Sequence, residues 1–204
     1  MKIRALAIEG AFEVTPVQHG DARGRFLEWY RFDYLADAVG HPLRLAQGNL
    51  SVSARGVLRG VHFADVPPGQ AKYVTCVRGA VMDTVVDLRI GSPTFGRHEL
   101  VDLDDVDRRA VYLAEGLGHA FCALTDDATV LYACSETYAP AREHGVHPLD
   151  AELAIRWPVE APSLSGKDDA APSLAELRAR DRLPDYAVCQ RYYASLHASA
   201  GEPR

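Results

Sequence analysis

The chain alternates between short apolar runs and turn residues over most of its length. From about Arg44 to Thr137 the apolar runs include KYVTCV, AVMDTVVDL, RAVYLA, HAFCAL and ATVLYACS. They are rich in β-branched and aromatic residues and are separated by turn sequences such as PPG, GSP, EGLG and TDD. This spacing predicts an all-β sandwich or barrel and not a series of βαβ units. No segment repeats another, so a duplicated two-barrel protein is not expected.

Helix signals lie near the two ends of the chain. Residues 31–39 are predicted to form one short helix that ends at Gly40. The string SLAE after a proline is a capping box, which predicts a helix over about 173–182. A second helix is predicted over about 185–197, and residues 198–204 are expected to be frayed. The sequence therefore predicts a β core followed by a helical C-terminal tail.

Length and composition are those of one globular domain. The chain has 204 residues, of which 48% are hydrophobic and 25% are charged, with 12 Pro and 16 Gly. This length is sufficient to bury a full hydrophobic core. We therefore predict a single domain over 1–204, with the β core at about 10–160 and the helical tail at about 173–197.

Charge and cysteine usage narrow the class of protein further. The formal net charge of −6, without a basic cluster, argues against a nucleic-acid partner. The N-terminal sequence MKIRALAIEG lacks the apolar segment of a signal peptide, and no apolar run reaches the roughly 18 residues of a membrane span. Cys76, Cys122, Cys134 and Cys189 have no CxxC spacing, so free buried thiols are expected. We expect a cytoplasmic protein with no membrane partner.

The stretch GVLRGVHF, from Gly56 to Phe63, places two polar residues in an apolar run. A buried charge without a partner is costly, so Arg59 and His62 are candidates for a ligand site inside the fold. A lone histidine in such a run is usually a core residue. Strict strand alternation would put the two side chains on opposite faces, and a bulge at Gly60 would bring them to the same face.

Other polar residues in apolar surroundings support a site. They are Lys72, Asp83, His119, Tyr132 and Asp168. Asp83 and Asp87 share one face of a predicted strand, which suggests partners across the barrel, although Asp87 also fits a strand end. Tyr132 shares a face with Val130 and Cys134, so its hydroxyl can reach the interior. A buried tyrosine alone is usually a core residue with one hydrogen bond.

The pattern of histidines and cations bears on cofactors. No HxH pair is present, and His144 and His147 stand in a proline-containing loop without nearby cysteines, so no metal is expected. Arg23, Arg59 and Lys167 each stand beside a glycine or an acidic residue, a setting that suits a diphosphate. The phosphate-binding loop and dinucleotide motifs are both absent from the sequence.

Taken together, these segments resemble the dTDP-4-dehydrorhamnose 3,5-epimerase family. The matching strings run in family order from about Gly20 to Pro172. They are DARGRFLEWY, LAQGNLSVSARGVLRGVHF, PPGQAKYVTCVRGAVMDTVVDLRIGSPTFG, EGLGHAF, LYACSETYAP, LAIRWP and LSGKDDAAP. The resemblance implies a cupin-type β-jelly roll, a homodimer and an epimerase that needs no metal or organic cofactor.

The resemblance also implies roles for named residues. His62 matches the general base, and Asp168 matches the acid that orients it. Tyr132 matches the general acid on the opposite face of the sugar, and Lys72 matches a residue that stabilises an enolate. The implied substrate-contacting positions are Arg23, Glu28, Gln47, Asn49, Arg59, Lys72, His119, Glu143 and Lys167, with Tyr138 near the nucleotide.

The implied chemistry explains these residue types. The substrate has a ketone at C4, so the hydrogens at C3 and C5 are acidic enough for a positioned base to remove. Inversion needs a base on one face and a proton donor on the other, and a cation stabilises the developing charge on O4.

Some positions depart from the family pattern, and they leave alternatives open. Ala133 replaces a common lysine, Thr137 replaces a common tyrosine, and the tail after Ser173 is longer than in compact members. These departures resemble branches that make deoxysugars for secondary metabolites, some of which invert only C3 or only C5. A 3,4-ketoisomerase and a non-catalytic sugar-nucleotide binding module remain further alternatives.

Overall fold

Two facing antiparallel sheets and several helices make up the computed structural model, which describes residues 1–200. Its strands are β1 (Lys2–Ala5), β2 (Ala11–Thr15), β3 (Gln18–Asp21), β4 (Gly24–Leu27), β5 (Gln47–Ser53), β6 (Leu58–Ala64), β7 (Lys72–Arg78), β8 (Ala80–Asp87), β9 (His98–Asp104), β10 (Ala110–Leu113), β11 (Leu117–Ala123), β12 (Ala128–Cys134) and β13 (Glu143–Gly145). The helices are α1 (Phe32–Val39), α2 (Gly166–Asp169), α3 (Leu174–Ala179) and α4 (Tyr186–Ala200).

The sheets form the jelly roll that the sequence predicts. One sheet has six strands in the order β1-β2-β10-β7-β12-β5, and the other has five in the order β13-β6-β11-β8-β9. Strands β3 and β4 form a separate hairpin. All strand pairings in these sheets are antiparallel, and the main apolar core lies between the two large sheets. The prediction of an all-β core with a helical tail is confirmed.

The five-stranded sheet is covered on both faces. Every residue of β11 is buried, and β8 is buried after its first residue. On its outer face, a second apolar cluster joins Val61 and Val86 to Val146, Leu153 and Leu174 from the C-terminal part of the chain. Strands covered on both faces become continuously apolar. The C-terminal segment is therefore part of the scaffold that holds this sheet.

Helices α1, α3 and α4 lie where the sequence predicts them, with differences at their ends. Gly40 caps α1 in the left-handed conformation, and Ser173 forms the predicted capping box at the start of α3. Helix α3 ends earlier than predicted because Asp181 adopts a positive φ of 51°, and the N–H of Arg182 then bonds to Leu177. Helix α4 continues through residue 200, so fraying at 198–200 was a wrong prediction, and residues 201–204 lie outside the described part.

A buried ion pair ties α4 to the barrel. Arg89, whose side chain is fully buried, forms hydrogen bonds with both carboxylate oxygens of Asp87 at 2.9 and 2.8 Å. Its guanidinium also donates to the Glu9 carbonyl and to the Tyr193 hydroxyl on α4. Asp87 accepts further bonds from Ser92 and other groups, which confirms its interpretation as a strand end. Fully partnered charges of this kind hold one arrangement of the tail.

A second cavity of about 160 Å³ lies beneath α4, lined by Glu115, Ser135 and Tyr192 among others. Glu115 is buried, and its Oε2 has no hydrogen-bond partner within the described residues. Burial raises the pKa of this carboxyl to about 7. Glu115 Oε1 accepts a long 3.5 Å bond from the Ser135 hydroxyl, so the carboxyl is poorly compensated for its loss of water.

Two smaller points concern the expected environment of the chain. Cys76, Cys122, Cys134 and Cys189 are free and buried, as predicted. Among residues 1–200, no helix combines the length and apolar character needed to cross a membrane.

Candidate active site

The space between the two sheets opens into a cavity with two adjoining lobes of about 210 and 400 Å³. Arg59, His119 and Asp168 line the smaller lobe. The larger lobe is bordered by amide, aromatic and acidic side chains, including Tyr138. The two lobes meet at the side chains that line both: His62, Lys72, Tyr132 and Lys167. Most of the residues that the sequence singled out are therefore brought to one place.

The six-stranded sheet supplies one wall of the cavity. Tyr132 on β12 pairs with Asn49 on β5 and with Val74 on β7. Since Val74 and Lys72 are two residues apart on β7, their side chains point to the same face, and Lys72 becomes a diagonal neighbour of Tyr132. The ordinary alternation of three paired strands thus places Tyr132, Lys72 and Asn49 side by side.

The five-stranded sheet supplies the opposite wall, and it needs a bulge to do so. His119 pairs with His62, whereas Phe121 pairs with Arg59, so two residues of β6 oppose one residue of β11. Arg59 and His62 consequently share a face and line the same lobe, which confirms the bulge hypothesis. Gly60 has a φ of 117°, and an added Cβ would lie 2.5 Å from the His119 carbonyl oxygen. Only glycine fits this position.

His62 is held by a carboxylate from a distant part of the chain. Its Nε2 lies 2.6 Å from Asp168 Oδ1, and Asp168 is almost fully buried. Asp168 Oδ2 accepts a 2.9 Å bond from the Ser165 hydroxyl. Burial acts to raise the pKa of Asp168, but the bonds from His62, Ser165 and the Gly60 N–H outweigh it and hold the pKa below its usual value.

The ionised state of Asp168 defines the His62 tautomer. An ionised carboxylate only accepts hydrogen bonds, so the ring proton of neutral His62 sits on Nε2. The lone pair is then on Nδ1 and available to take a proton. Asp168 thereby prepares the imidazole to act as a base, the arrangement expected from the sequence.

A second histidine of the cavity has its own carboxylate. His119 Nε2 lies 2.7 Å from Asp83 Oδ2, and both groups are buried. Asp83 pairs with Phe121 across β8 and β11, so it is the diagonal neighbour of His119 on the same face. This contact explains the polar Asp83 in an apolar strand.

The buried positions of Tyr132 and Lys72 change their acidity. Burial raises the pKa of the Tyr132 hydroxyl, with Cys134 acting in the same direction and Arg59 against it. Tyr132 therefore keeps its proton at neutral pH and can donate it. Burial lowers the pKa of the Lys72 ammonium, while Cys134 and Glu143 oppose the change. A more acidic ammonium is a stronger hydrogen-bond donor toward a developing oxyanion.

Two predicted substrate-contacting residues position Tyr138 in this structure. Gln47 Oε1 accepts the Tyr138 N–H at 2.7 Å, and Glu143 Oε1 accepts the Ala139 N–H at 3.1 Å. Gln47 also donates to Asn49 Oδ1 at 2.8 Å. These bonds fix the loop that carries the exposed Tyr138 ring at the mouth of the larger lobe.

Two predicted residues lie outside the cavity. Arg23, at the tip of the β3–β4 hairpin, is exposed and pairs with Asp21. Glu28 is exposed and pairs with Arg31. Their roles toward substrate remain predictions.

Several cavity residues were not found from the sequence. Ser165 was detectable, because Ser followed three residues later by Asp is a helix N-cap signal. Ser51, Gln70 and Phe121 carry no such signal. His144 was considered only as a metal ligand, yet it lines the larger lobe. Within the described residues, no group of three or more His, Cys, Asp or Glu side chains is placed to hold a metal ion. Independence from metals remains a prediction.

A jelly roll whose facing walls bring a histidine–aspartate pair opposite a protonated tyrosine and a lysine defines a class of acid–base isomerase. Comparison with known proteins identifies the member of that class. The chain matches the family of dTDP-4-dehydrorhamnose 3,5-epimerase over residues 5–176. It belongs to this family, and it is an epimerase.

Individual relatives are similar over nearly their whole lengths. A dTDP-4-dehydrorhamnose 3-epimerase of Streptomyces niveus is 62% identical over 205 residues, covering 100% of this chain and 99% of the relative. A dTDP-4-dehydrorhamnose 3,5-epimerase of Mycolicibacterium smegmatis is 58% identical over 198 residues, covering 96% and 97%. The structure of a 3′-monoepimerase from Streptomyces bikiniensis in complex with dTDP-quinovose superposes with a TM-score of 0.92 at 52% identity, covering 95% and 98%.

Proposed function

We propose that this epimerase acts on a dTDP-4-dehydro-6-deoxyhexose and inverts the configuration at C3. One observation carries the proposal: His62 and Tyr132 stand on opposite sheets of a single cavity, with Lys72 beside Tyr132. Inversion next to a ketone needs a base and an acid on opposite faces of the sugar, and this geometry supplies both.

The proposed reaction uses proton transfer alone. His62 Nδ1 removes the proton from C3, and the electron pair moves through the C3–C4 bond onto O4. Lys72 donates a hydrogen bond to O4 and stabilises the enolate. Tyr132 then protonates C3 from the other wall, and the two groups exchange protons with water before the next turnover. Asp168 stabilises the imidazolium that forms in the first step.

The nucleotide is proposed to lie along the cations and amides of the two lobes. Arg59 and Lys167 offer charge-assisted bonds to the diphosphate, and Arg59 Nε is already oriented by a 3.1 Å bond to Ser53. His119 adds a donor beside them. Tyr138, Gln47, Asn49 and Glu143 border the larger lobe and are proposed to receive the nucleoside.

The number of centres inverted divides the relatives. The similar protein from Streptomyces niveus is named a 3-epimerase, and the one from Mycolicibacterium smegmatis a 3,5-epimerase. Inversion at C3 is common to both, which is why it forms the core of the proposal. A second inversion at C5 would use the same base and acid after the sugar turns in the cavity.

Hydrogen exchange tests the proposal directly. The protein is incubated with dTDP-4-dehydro-6-deoxyglucose in deuterated water, and the signals at C3 and C5 are followed by NMR. We expect deuterium at C3 together with the C3 epimer, and additional deuterium and inversion at C5 would mark a 3,5-epimerase. Migration of the carbonyl to C3 would instead indicate a ketoisomerase, and binding without any exchange would indicate a binding module. Either result contradicts the proposal.

A matched pair of variants tests the base. His62→Asn should lower exchange at every position by about 10²–10⁴-fold, because no other base replaces it. His98→Asn, on β9 away from the cavity, serves as the control and should exchange at the wild-type rate. Near wild-type exchange in folded His62→Asn would remove His62 from the mechanism.

We propose further that the protein is a cytoplasmic homodimer. The outer edge of β5 carries the exposed side chains of Leu50 (63%) and Val52 (54%), a surface that suits a second copy. Arg23 and Glu28 lie on exposed segments outside their own cavity, so they can contact substrate only in a partner subunit. The free buried thiols fit a reducing compartment.

Complementation tests the shared site. Arg23→Ala and His62→Asn chains are each expected to be poorly active alone. Co-expressed, they form mixed dimers in which one cavity has an intact His62 and receives an intact Arg23 from the other subunit. Recovery of activity in the isolated mixed dimer supports the proposal. A monomer by light scattering, or a mixed dimer no more active than its parents, contradicts it.

A further inference from the structure

A third histidine–aspartate pair borders the cavity, and the proposed reaction does not use it. His144 Nε2 lies 2.8 Å from Asp65 Oδ1, and the His144 ring packs against Phe63 with centroids 5.4 Å apart. Strand β13 pairs with β6 so that Gly145, next to His144, stands opposite His62. The His144 ring is therefore fixed on the strand that neighbours the base.

The bond to Asp65 decides which nitrogen of His144 is left for a ligand. A carboxylate only accepts hydrogen bonds, so the ring proton lies on Nε2 and the lone pair on Nδ1. Within the described residues, Nε2 alone has a hydrogen-bond partner. Because the ring lines the larger lobe, Nδ1 offers that lobe a hydrogen-bond acceptor on a rigid support.

Acceptors are otherwise scarce at this end of the lobe. The carbonyl oxygen of Gln47 is used by the Tyr138 N–H, and Glu143 Oε1 is used by the Ala139 N–H. The cations that suit a diphosphate, Arg59 among them, lie toward the smaller lobe. A ligand group bound beside His144 therefore meets an aromatic ring, amides and an acceptor, the surroundings that suit a nucleoside.

We propose that His144 is a further substrate-binding residue, which accepts a hydrogen bond from the nucleoside end of the ligand, and that Asp65 positions it. A thymidine nucleotide has two candidate donors, the 3′-hydroxyl of the deoxyribose and the imide N3–H of the base. The inference rests on the proposed function, which places the nucleoside in the larger lobe.

Calorimetry with dTDP and two analogues tests the inference. His144→Phe keeps a planar ring against Phe63 but removes both nitrogens. It should weaken dTDP about tenfold, the effect of losing one hydrogen bond to a desolvated group. If the 3′-hydroxyl is the donor, 3′-deoxythymidine diphosphate should bind wild type and variant equally. If the imide is the donor, N3-methyl-dTDP should do so instead.

Asp65→Ala tests the positioning role. It should weaken dTDP by a smaller factor than His144→Phe, and it should cause no additional loss in the His144→Phe background, since Asp65 acts through His144. Full additivity of the two changes would refute that role. His98→Phe is the control and should bind dTDP as wild type does.

The results distinguish this inference from the proposed function. Wild-type dTDP affinity in folded His144→Phe overturns the inference alone, as does an equal loss for dTDP and both analogues, which would indicate a change of cavity shape. Failure of the wild-type protein to bind dTDP overturns both.

Discussion

Replacing Glu115 with glutamine should make the protein more stable at alkaline pH. The carboxyl lies beneath α4 with one oxygen unpartnered, and burial raises its pKa from 4.5 to about 7. In the folded state the proton is therefore retained over a range in which the unfolded chain has already lost it. The stability that this protonation contributes is complete below about pH 4.5 and is lost as pH rises through about 7.

The size of the effect follows from the two pKa values. Between about pH 5 and about pH 8.5, ionisation of Glu115 should cost the folded state about 2–3 kcal/mol. Glutamine has nearly the same shape, and its carbonyl can still accept the Ser135 hydroxyl, but it does not ionise. The stability difference between variant and wild type should thus shift toward the variant by this amount, which corresponds to about 5–10 °C in melting temperature.

Thermal melts of both proteins over this pH range, at one protein concentration, measure the shift. Glu136→Gln is the matched control, because Glu136 lines the same cavity but is more exposed. The control should show no comparable trend relative to wild type. A Glu115→Gln variant whose stability difference from wild type is constant between acid and alkaline pH would refute the reasoning.

Further predictions concern the site itself. Tyr132→Phe should stop inversion while the original C3 hydrogen still washes out, and full epimerase activity would remove Tyr132 from the mechanism. Arg59→Ala should weaken dTDP about tenfold in calorimetry through loss of a charge-assisted bond, and unchanged affinity would contradict its role. Gly60→Ala should reduce exchange together with stability, measured by NMR and thermal melt, because its Cβ would collide with the His119 carbonyl. Activity should survive EDTA and dialysis, and a required stoichiometric metal would reject that claim.

The strands of the barrel could be predicted because their burial leaves a direct trace in the apolar pattern. The runs that contain β7, β8, β11 and β12 are the most apolar of the chain and the most deeply buried. Polar residues inside them, such as Asp83, proved to have partners in the fold. The helix starts were predictable for a similar reason, since capping is local: Ser173 bonds within its own first turn.

Features that depend on distant contacts could not be predicted. Arg89 is fully buried, but its partner Tyr193 is far along the chain, and nothing near Arg89 indicates the contact. The end of α3 depends on a left-handed Asp181 where glycine is the usual signal. The bulge at Gly60 was a hypothesis until the register between β6 and β11 showed it, because a two-against-one pairing involves another strand.

The contact between His62 and Asp168 also concerns the order in which the molecule becomes active. The two residues are separated by 106 positions, and Asp168 arrives on the segment that covers the outer face of the five-stranded sheet. During synthesis, the base is made long before the carboxylate that orients it. Because such a long-range contact closes late, an incompletely folded chain has a cavity but no oriented base. Proton abstraction thereby begins only once the barrel is wrapped, and the nascent chain is chemically silent until then.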